Sequence, residues 1–353
     1  MSTRFFAQYP PPEGTEVHAE QVDLSPLQGR VVAVIGYGTM GRAHALNLRR
    51  SGISVRVGAR EHSPRGELAR QEGLPVHLVV DAVSRADVVM LMLPDEAMGQ
   101  VFAQEVVPHL KPGATIGLAH GFAVAFDQIQ IPAGCSCFLA APKGQGDMLL
   151  EAHARGGGVP GLLAVTAASL PETWDLAAAY ALATGCLHGG GFITTFEQEC
   201  VSDQFGEQAV LCGGVIELLK AAFDIMVEAG YGRENAYFEC VHELKLITDL
   251  VHRHGIDGMR HKISGTAAYG GLTRGPRLID EGVKERMREI LGEITSGTFA
   301  QEFLAHHDDP QVGTRALARR EAEGPLARAG GDMLPRLHPE NQEDPEPPTG
   351  EKT

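Results

Sequence analysis

The pattern of hydrophobic and polar positions divides the chain into two parts with different periodicities. Between about residues 30 and 190, short apolar and β-branched runs alternate with stretches rich in Ala, Arg and Glu. The clearest runs are residues 31–35, 55–57, 88–93 and 115–118. Such alternation predicts repeated βαβ units, and therefore a parallel sheet covered by helices.

From about residue 194 to residue 304 the strand signal vanishes, and apolar residues recur at helical spacing over 205–228, 235–252 and 283–294. We therefore predict an α/β protein, with a Rossmann-type doubly wound N-terminal domain followed by an all-α C-terminal domain. The predicted boundaries are an extended lead-in at 1–28, a nucleotide-binding domain at 29–193, a helical domain at 194–323 and a disordered tail at 324–353.

Composition narrows the range of partners. A formal charge of −15 over 353 residues argues against nucleic acid and anionic membranes, which repel an acidic surface. No run approaches the roughly 18 apolar residues that a membrane span requires. The N-terminus lacks the basic-then-apolar order of a signal peptide, so we expect a cytoplasmic protein.

A glycine-rich turn separates the first predicted strand from a helical pattern. Its six residues are Gly36, Tyr37, Gly38, Thr39, Met40 and Gly41. In this context Gly36 permits a tight turn, Gly38 lets the backbone approach a pyrophosphate, and Gly41 allows close helix–strand packing. The N-terminus of the following helix offers N–H groups to the anion. We predict that these residues bind a dinucleotide.

The end of the second predicted strand indicates which dinucleotide. Arg60 and Arg65, with the hydroxyl of Ser63, suit the 2′-phosphate of NADPH. Glu61 lies among them and leaves open that this is an ordinary solvated loop. The pattern favours NADPH.

Two acidic pairs occur in the helical part: Asp203 with Glu207, and Glu239 with Glu243. Residues four apart lie on one face of a helix, where like charges repel unless a cation lies between them. Carboxylates without cysteine suit Mg²⁺. Because such pairs also occur on solvated helix faces, spacing alone leaves both interpretations open. The apolar residues around Asp203 favour a buried site.

Several segments together resemble ketol-acid reductoisomerases. The longest is DQFGEQAVLCGG at 203–214, and the others are residues 36–48, 93–96, 119–122, 141–144, 227–231, 236–239, 242–243, 245 and 264–270. The resemblance covers roughly residues 20–305 and its motifs occur in the family's order. The length is similar to that of the short form of the family.

The resemblance implies a site, position by position. Its catalytic residues would be His120, Lys143, Asp203, Glu207, Glu239 and Glu243. The four carboxylates would bind two Mg²⁺ ions, with Asp203 bridging them. Ser264 would contact substrate, and Asp95 and His120 would contact the cofactor.

The implied reaction converts 2-acetolactate, or a related 2-hydroxy-2-alkyl-3-keto acid, to a 2,3-dihydroxy acid. An alkyl group migrates to the adjacent carbon, and NADPH then reduces the new ketone. The resemblance also implies a knotted helical domain and a homodimer or higher homo-oligomer, with the metal site at the subunit interface.

Residues near the expected site depart from the usual family pattern: Ala123, Ala125, Gln145, Asp147, Ile193, Gln198, Val201, Lys262 and Ala268. None of them removes an expected metal ligand, but changes around ligands tune metal affinity and substrate choice. Four interpretations stay open. They are an ordinary enzyme of valine and isoleucine synthesis, a paralogue for a different acid, a plain NADPH-dependent reductase, and a nucleotide-binding protein without turnover.

Overall fold

The computed structural model describes residues 4–338. Its nine strands are Glu16–Val17 (β1), Val31–Ile35 (β2), Ser54–Gly58 (β3), Val76–His77 (β4), Val88–Leu91 (β5), Thr115–Leu118 (β6), Ser136–Pro142 (β7), Gly161–Val165 (β8) and Gly191–Ile193 (β9). They form one sheet in the order β1-β9-β8-β7-β6-β5-β2-β3-β4. The predictions for 31–35 and 115–118 are confirmed to the residue.

Six strands, β4-β3-β2-β5-β6-β7, are parallel and form the doubly wound part of the sheet. The chain order reverses between β2 and β5, which is the usual position of a dinucleotide. The β7–β8 and β1–β9 pairs are antiparallel, so the sheet is mixed rather than wholly parallel. Apolar runs do not encode strand direction, and β1 lies inside the predicted extended lead-in.

Seven α-helices accompany this sheet: Thr39–Arg50 (α1), Pro64–Gln71 (α2), Val79–Val83 (α3), Asp95–Val101 (α4), Phe122–Ala125 (α5), Gly146–Ala154 (α6) and Thr173–Thr184 (α7). A π-helical turn, Phe102–Val106, continues α4. Short 3-10 turns occur at Ala19–Gln21, Ser25–Leu27 and Val107–His109. Large apolar clusters fill both faces of the sheet, one built on α1 and α7 and the other on α3 and α4.

The remaining elements are helical: Phe196–Gly206 (α8), Gly214–Glu228 (α9), Arg233–Tyr237 (α10), Glu243–Arg260 (α11), Gly265–Leu278 (α12), Glu281–Thr295 (α13), Thr298–His306 (α14), Thr314–Ala322 (α15) and Pro325–Leu337 (α16). The helix predicted at 283–294 is confirmed as part of α13. Those predicted at 205–228 and 235–252 are each interrupted by a π-helical turn, Glu207–Leu211 and Phe238–His242.

By its internal contacts the chain divides into a nucleotide unit, up to Asp203, and a helical unit, from Gln204 onward. The apolar cluster of the helical unit consists of Phe223, Ala236, Tyr237, Ala329 and Met333. Two of these belong to α16, so the prediction of a disordered tail is wrong for residues 325–337. The rest of that tail, 339–353, lies outside the described residues. The knot implied by the resemblance stays a prediction.

Across residues 4–338, no helix is both long and apolar enough to span a membrane.

Candidate active site

Four loops at one edge of the parallel sheet carry the predicted chemistry of the nucleotide unit. Gly36 directly follows β2, and Lys143 directly follows β7. Asp95 begins α4, four residues past β5, and His120 lies two residues past β6. The strands β2, β5, β6 and β7 are adjacent in the sheet, and the carboxyl ends of parallel strands lie at one edge. These four residues therefore lie at one crevice.

The centre of this edge is a hydrogen-bonded cluster in which Lys143 is held by two carboxylates. Its Nζ donates to Glu199 Oε1 at 2.7 Å and to Asp203 Oδ1 at 2.9 Å. His120 Nδ1 lies 3.2 Å from Glu199 Oε2 and 3.6 Å from Asp203 Oδ2. The amide of Gly121 also donates to Glu199 Oε2, at 2.7 Å. Glu199 is 1% exposed and links the two basic side chains.

The opposite charges within the cluster stabilise one another. Burial alone would lower the pKa of His120, but hydrogen bonds to Cys200 and Glu199 and the charges of Glu199 and Asp95 outweigh it and raise the pKa to about 11. Burial likewise opposes ionisation of Glu199, yet His120 and Lys143 lower its pKa. The pKa of Lys143 is raised, because the two carboxylates outweigh its burial. The cluster therefore holds two cations against Glu199 and Asp203 at neutral pH.

Asp95 belongs to the rim of this cluster. Burial, which penalises its charged form, raises its pKa, and the negative charges of Glu96, Glu199 and Asp203 add to the effect. The charge of His120 acts in the opposite direction. The structure thus brings together four of the predicted residues, Asp95, His120, Lys143 and Asp203.

Sequence reasoning did not identify Glu199, although a signal for it existed. Glu199 precedes Asp203 by four residues, as Asp203 precedes Glu207, so the acidic series begins one helical turn earlier than predicted. Its buried hydrogen bonds to Lys143 and His120 depend on tertiary contacts, which spacing along one helix does not reveal.

The phosphate turn has the backbone geometry that its glycines predicted. Gly36 has a φ of 98°, and a Cβ there would lie 2.4 Å from the carbonyl oxygen of Met92. A Cβ on Gly41 would lie 2.4 Å from the carbonyl oxygen of Gly36. Tyr37 is buried, and its hydroxyl donates to Glu72 at 2.6 Å. Its phenol is therefore engaged within the protein, and a contact of this residue with a cofactor would come from its backbone.

The loop after β3 presents its cations to solvent. Arg60 and Arg65 are exposed. Ser63 caps α2, because its Oγ accepts a hydrogen bond from the Gly66 amide at 3.3 Å. Glu61 lies 3.8 Å from His62, and both side chains are largely exposed. The arginines therefore remain accessible to an anionic ligand.

Within the helical unit, the expected ligands lie at irregular turns. Glu207 is the first residue of one π-helical turn, Glu239 lies in the other, and Glu243 begins α11. Such turns are frequent at functional sites. All three side chains are exposed. Ser264 is the N-cap of α12, where its Oγ accepts from the Ala267 amide at 3.2 Å.

The donor set is compatible with a hard cation. His120, Glu199 and Asp203 place possible ligand atoms within 4.8 Å of one another, but Lys143 and the protonated His120 ring already pair with these carboxylates, and a protonated ring nitrogen cannot bind a metal ion. Among residues 4–338, no Lys, Arg or His forms an ion pair with Glu239 or Glu243. Exposed carboxylate oxygens without such partners fit Mg²⁺, which takes oxygen ligands and keeps several waters.

A phosphate turn at the switch point of a doubly wound sheet, with a lysine–histidine–carboxylate cluster at the same edge, is typical of a dinucleotide-dependent oxidoreductase. Residues 26–190 match the model of the NADPH-binding domain of acetohydroxy acid isomeroreductase, and residues 196–337 match that of the ketol-acid reductoisomerase C-terminal domain. The chain therefore belongs to the ketol-acid reductoisomerase family.

Solved structures agree with this assignment. A structure of an NADH-preferring ketol-acid reductoisomerase from an uncultured archean is 38% identical, with a TM-score of 0.87 over 91% of this chain and 98% of that chain. A semialdehyde dehydrogenase NAD-binding protein from Cupriavidus necator is 21% identical, with a TM-score of 0.54 over 74% of this chain and 100% of that chain. The second likeness shows the fold alone.

Proposed function

We propose that this chain is an NADPH- and Mg²⁺-dependent ketol-acid reductoisomerase that converts 2-acetolactate, or a related 2-hydroxy-2-alkyl-3-keto acid, to a 2,3-dihydroxy acid. The observation that carries the proposal is the Lys143–Glu199–Asp203 network at the edge of the sheet that also bears the phosphate turn. Hydride transfer requires cofactor and substrate at one edge, and this arrangement supplies it.

The residues of the cluster have separable roles. Glu199 holds the Lys143 ammonium and the His120 ring, and Lys143 in turn orients the carboxylate of Asp203. Protonated His120 and Lys143 offer hydrogen bonds to substrate oxygens on which negative charge develops, and they can return a proton after reduction. Two Mg²⁺ ions at Asp203, Glu207, Glu239 and Glu243 would supply Lewis-acid polarisation of the substrate oxygens.

NADPH is proposed over NADH because of the loop after β3. Arg60 and Arg65 present two exposed guanidinium groups, which bind phosphate through paired hydrogen bonds. Ser63, as the N-cap, fixes the first turn of α2, which includes Arg65. Although one similar structure is described as NADH-preferring, the two arginines support the phosphorylated cofactor here.

A homodimer is proposed because the helical unit exposes large apolar side chains. Leu211, Ile225, Ile256 and Leu278 are 64%, 64%, 67% and 63% exposed. An exposed apolar surface of this kind marks a protein–protein interface. A second copy of the chain would cover it, and would also place carboxylates from two subunits at one metal site.

The test is NADPH oxidation by the purified protein with 2-acetolactate, with and without Mg²⁺, and separately with 3-hydroxy-3-methyl-2-ketobutyrate. We expect oxidation with both substrates, and strict Mg²⁺ dependence with acetolactate. Since the second compound is already rearranged, it isolates the reduction step.

Reduction of the rearranged compound alone would replace this proposal with a plain reductase. Inactivity with both compounds, despite NADPH binding, would mean that another acid is the substrate. The same assay with NADH checks the cofactor proposal, since a lower KM for NADH than for NADPH would contradict it.

A further inference from the structure

We propose that Gly146 is a positioning residue that holds the loop carrying Lys143 against the phosphate turn. The lysine loop (residues 143–145) connects β7 to α6, and Gly146 is the first residue of α6. The inference rests on the proposed function, because it gives the phosphate turn a dinucleotide and the lysine cluster a metal ion.

The contact is between two stretches of backbone. Gly146 is buried, and a Cβ on it would lie 2.5 Å from the carbonyl oxygen of Thr39 and 2.9 Å from the amide nitrogen of Met40. Thr39 and Met40 form the first turn of α1, where the pyrophosphate is expected. Because backbone atoms cannot rotate away as a side chain can, any larger residue must separate α6 from the phosphate turn.

Further contacts keep α6 aligned with α1. Arg50 donates to the carbonyl oxygen of Leu150 at 3.3 Å, and Asn47 lies 3.5 Å from that of Leu149. An ion pair of 3.6 Å joins Arg42 of α1 to Asp147 of α6. These contacts join α6 to α1 from Arg42 to Arg50, so the two helices are held together beyond the close contact at Gly146.

The lysine loop is short and is held at Lys143 by hydrogen bonds of both its backbone and its side chain. The amide of Lys143 donates to the carbonyl oxygen of Pro160 at 2.8 Å, which fixes the start of the loop. The Lys143 ammonium is fixed by Glu199 and Asp203. Because only Gly144 and Gln145 lie between Gly146 and Lys143, a displacement at Gly146 strains these hydrogen bonds, including the one from Lys143 to Asp203.

The test compares Gly146→Ala with Gly157→Ala, a glycine just beyond the other end of α6, where a Cβ would lie 3.5 Å from the nearest backbone oxygen. NADPH affinity is measured by fluorescence, and Mn²⁺ affinity by electron paramagnetic resonance, on the full chain. We expect Gly146→Ala to weaken both affinities, that for Mn²⁺ by about 10- to 100-fold, as loss of a ligand's supporting contact does. Gly157→Ala should leave both unchanged.

A double-mutant cycle separates positioning from general damage. In a Lys143→Met background, Gly146→Ala should still weaken NADPH binding but no longer change Mn²⁺ affinity, because its effect on the metal passes through Lys143. Full additivity for Mn²⁺, or wild-type affinities in Gly146→Ala, would overturn the inference. Binding of both ligands by wild type without turnover of acetolactate would count against the proposed substrate only.

Hydrogen exchange on the unaltered protein gives a second test if Gly146→Ala fails to fold. The probe is 2′-phospho-ADP-ribose, which lacks nicotinamide and occupies only the adenosine and pyrophosphate positions. We expect it to slow amide exchange in residues 143–149 as well as in 36–42. Protection confined to 36–42 would overturn the inference, and so would an absence of any binding.

Discussion

The nucleotide unit and the helical unit bury apolar surface in different ways. In the nucleotide unit both faces of the sheet are covered, and strand residues such as Val32, Val34 and Val89 are fully buried. The cluster of the helical unit is built on Phe223 and Tyr237, while Ile256 and Leu278 of the same unit are more than 60% exposed. The first unit buries its apolar side chains within itself, whereas the second leaves several large apolar side chains exposed, as the proposed dimer requires.

The two units also differ in whether their acidic side chains have basic partners. In the nucleotide unit, Glu199 and Asp203 face the cations of Lys143 and His120. In the helical unit, Glu239 and Glu243 have no basic partner among residues 4–338. The carboxylates of the nucleotide unit are therefore neutralised by the protein itself, whereas those of the helical unit would be neutralised by the Mg²⁺ ions proposed above. Substitutions in the two units should therefore change stability, dimerisation and cofactor binding to different extents.

The largest effect is expected from Glu199→Gln. The amide removes the buried charge that binds Lys143 and His120, whose side chains are 32% and 27% exposed and keep Asp203 as their remaining acidic partner. Hydrogen bonds to charged groups each contribute about 1.5–3 kcal/mol, so the loss of these two should cost about 3 kcal/mol or more. We expect the free energy of unfolding of the nucleotide unit to fall by this amount in urea titrations, with loss of Mg²⁺-dependent activity.

The control is Glu197→Gln on the same helix, where the side chain is exposed. It makes the same chemical change without a buried partner and should alter stability by less than about 0.5 kcal/mol. Equal effects of the two substitutions would show that the network around Glu199 does not stabilise the nucleotide unit.

The next largest effect is on the stability of the nucleotide unit in acid. His44 of α1 is fully buried, its Nδ1 lies 2.9 Å from the hydroxyl of Tyr180, and burial lowers its pKa to about 3. In the unfolded chain its pKa is about 6.5. Below pH 6.5 the unfolded state therefore binds a proton that the folded state does not. Its contribution to stability is complete above about pH 6.5 and is lost as the pH falls towards 3.

At pH 4 this difference amounts to about 3 kcal/mol. His44→Gln should remove that part of the pH dependence, as measured by urea unfolding at pH 7 and pH 4. His62→Gln, at a side chain 92% exposed, is the matched control and should preserve the wild-type pH dependence. A His44→Gln variant as acid-sensitive as wild type would assign the loss to other groups.

The sequence predicted the nucleotide unit better than the helical unit, because most features of the nucleotide unit are specified by residues that are close together in the chain. The strand at Val31–Ile35, its glycine turn and the helix after it are specified by adjacent residues, so pattern and structure agree. The positions of Asp95, His120 and Lys143 follow from strand order, because each comes soon after a parallel strand. The spacing of Glu199 and Asp203 could be read from the sequence, but the partners of Glu199 could not, because they lie 56 to 79 residues away in the chain.

In the helical unit, periodicity predicted helices but not their interruptions. The π-helical turns at Glu207–Leu211 and Phe238–His242 insert extra residues without changing composition, so apolar spacing still resembled one continuous helix. The polar, proline-containing C-terminal region was predicted to be disordered, yet α16 packs Ala329 and Met333 against Tyr237. Its order comes from tertiary contact rather than from local composition.

A smaller effect is expected from Leu272→Asp, which tests the exposed apolar surface of the helical unit. Leu272 of α12 is 57% exposed, and Leu170 of the nucleotide unit is 58% exposed. If a second copy covers α12, Leu272→Asp should weaken dimerisation by about tenfold or more, equivalent to about 1.4 kcal/mol, whereas Leu170→Asp should not. Analytical ultracentrifugation over a concentration series measures both. Equal dissociation constants for the two variants would contradict the proposed interface at α12.

The smallest effect is expected in the loop after β3. Residues of this loop, all in the nucleotide unit, should determine the specificity for NADPH over NADH. Replacing Arg60 and Arg65 by alanine removes the charge available to a 2′-phosphate, so the KM for NADPH should rise about tenfold while that for NADH stays unchanged. Arg70→Ala, on α2 like Arg65 but paired with Glu67 at 3.1 Å, is the control and should change neither. A parallel rise for both cofactors would mean that the arginines support the loop rather than recognise phosphate. Since this recognition lies within one unit, Leu272→Asp protein should bind NADPH and NADH with the wild-type ratio of affinities, even where its dimer is weakened.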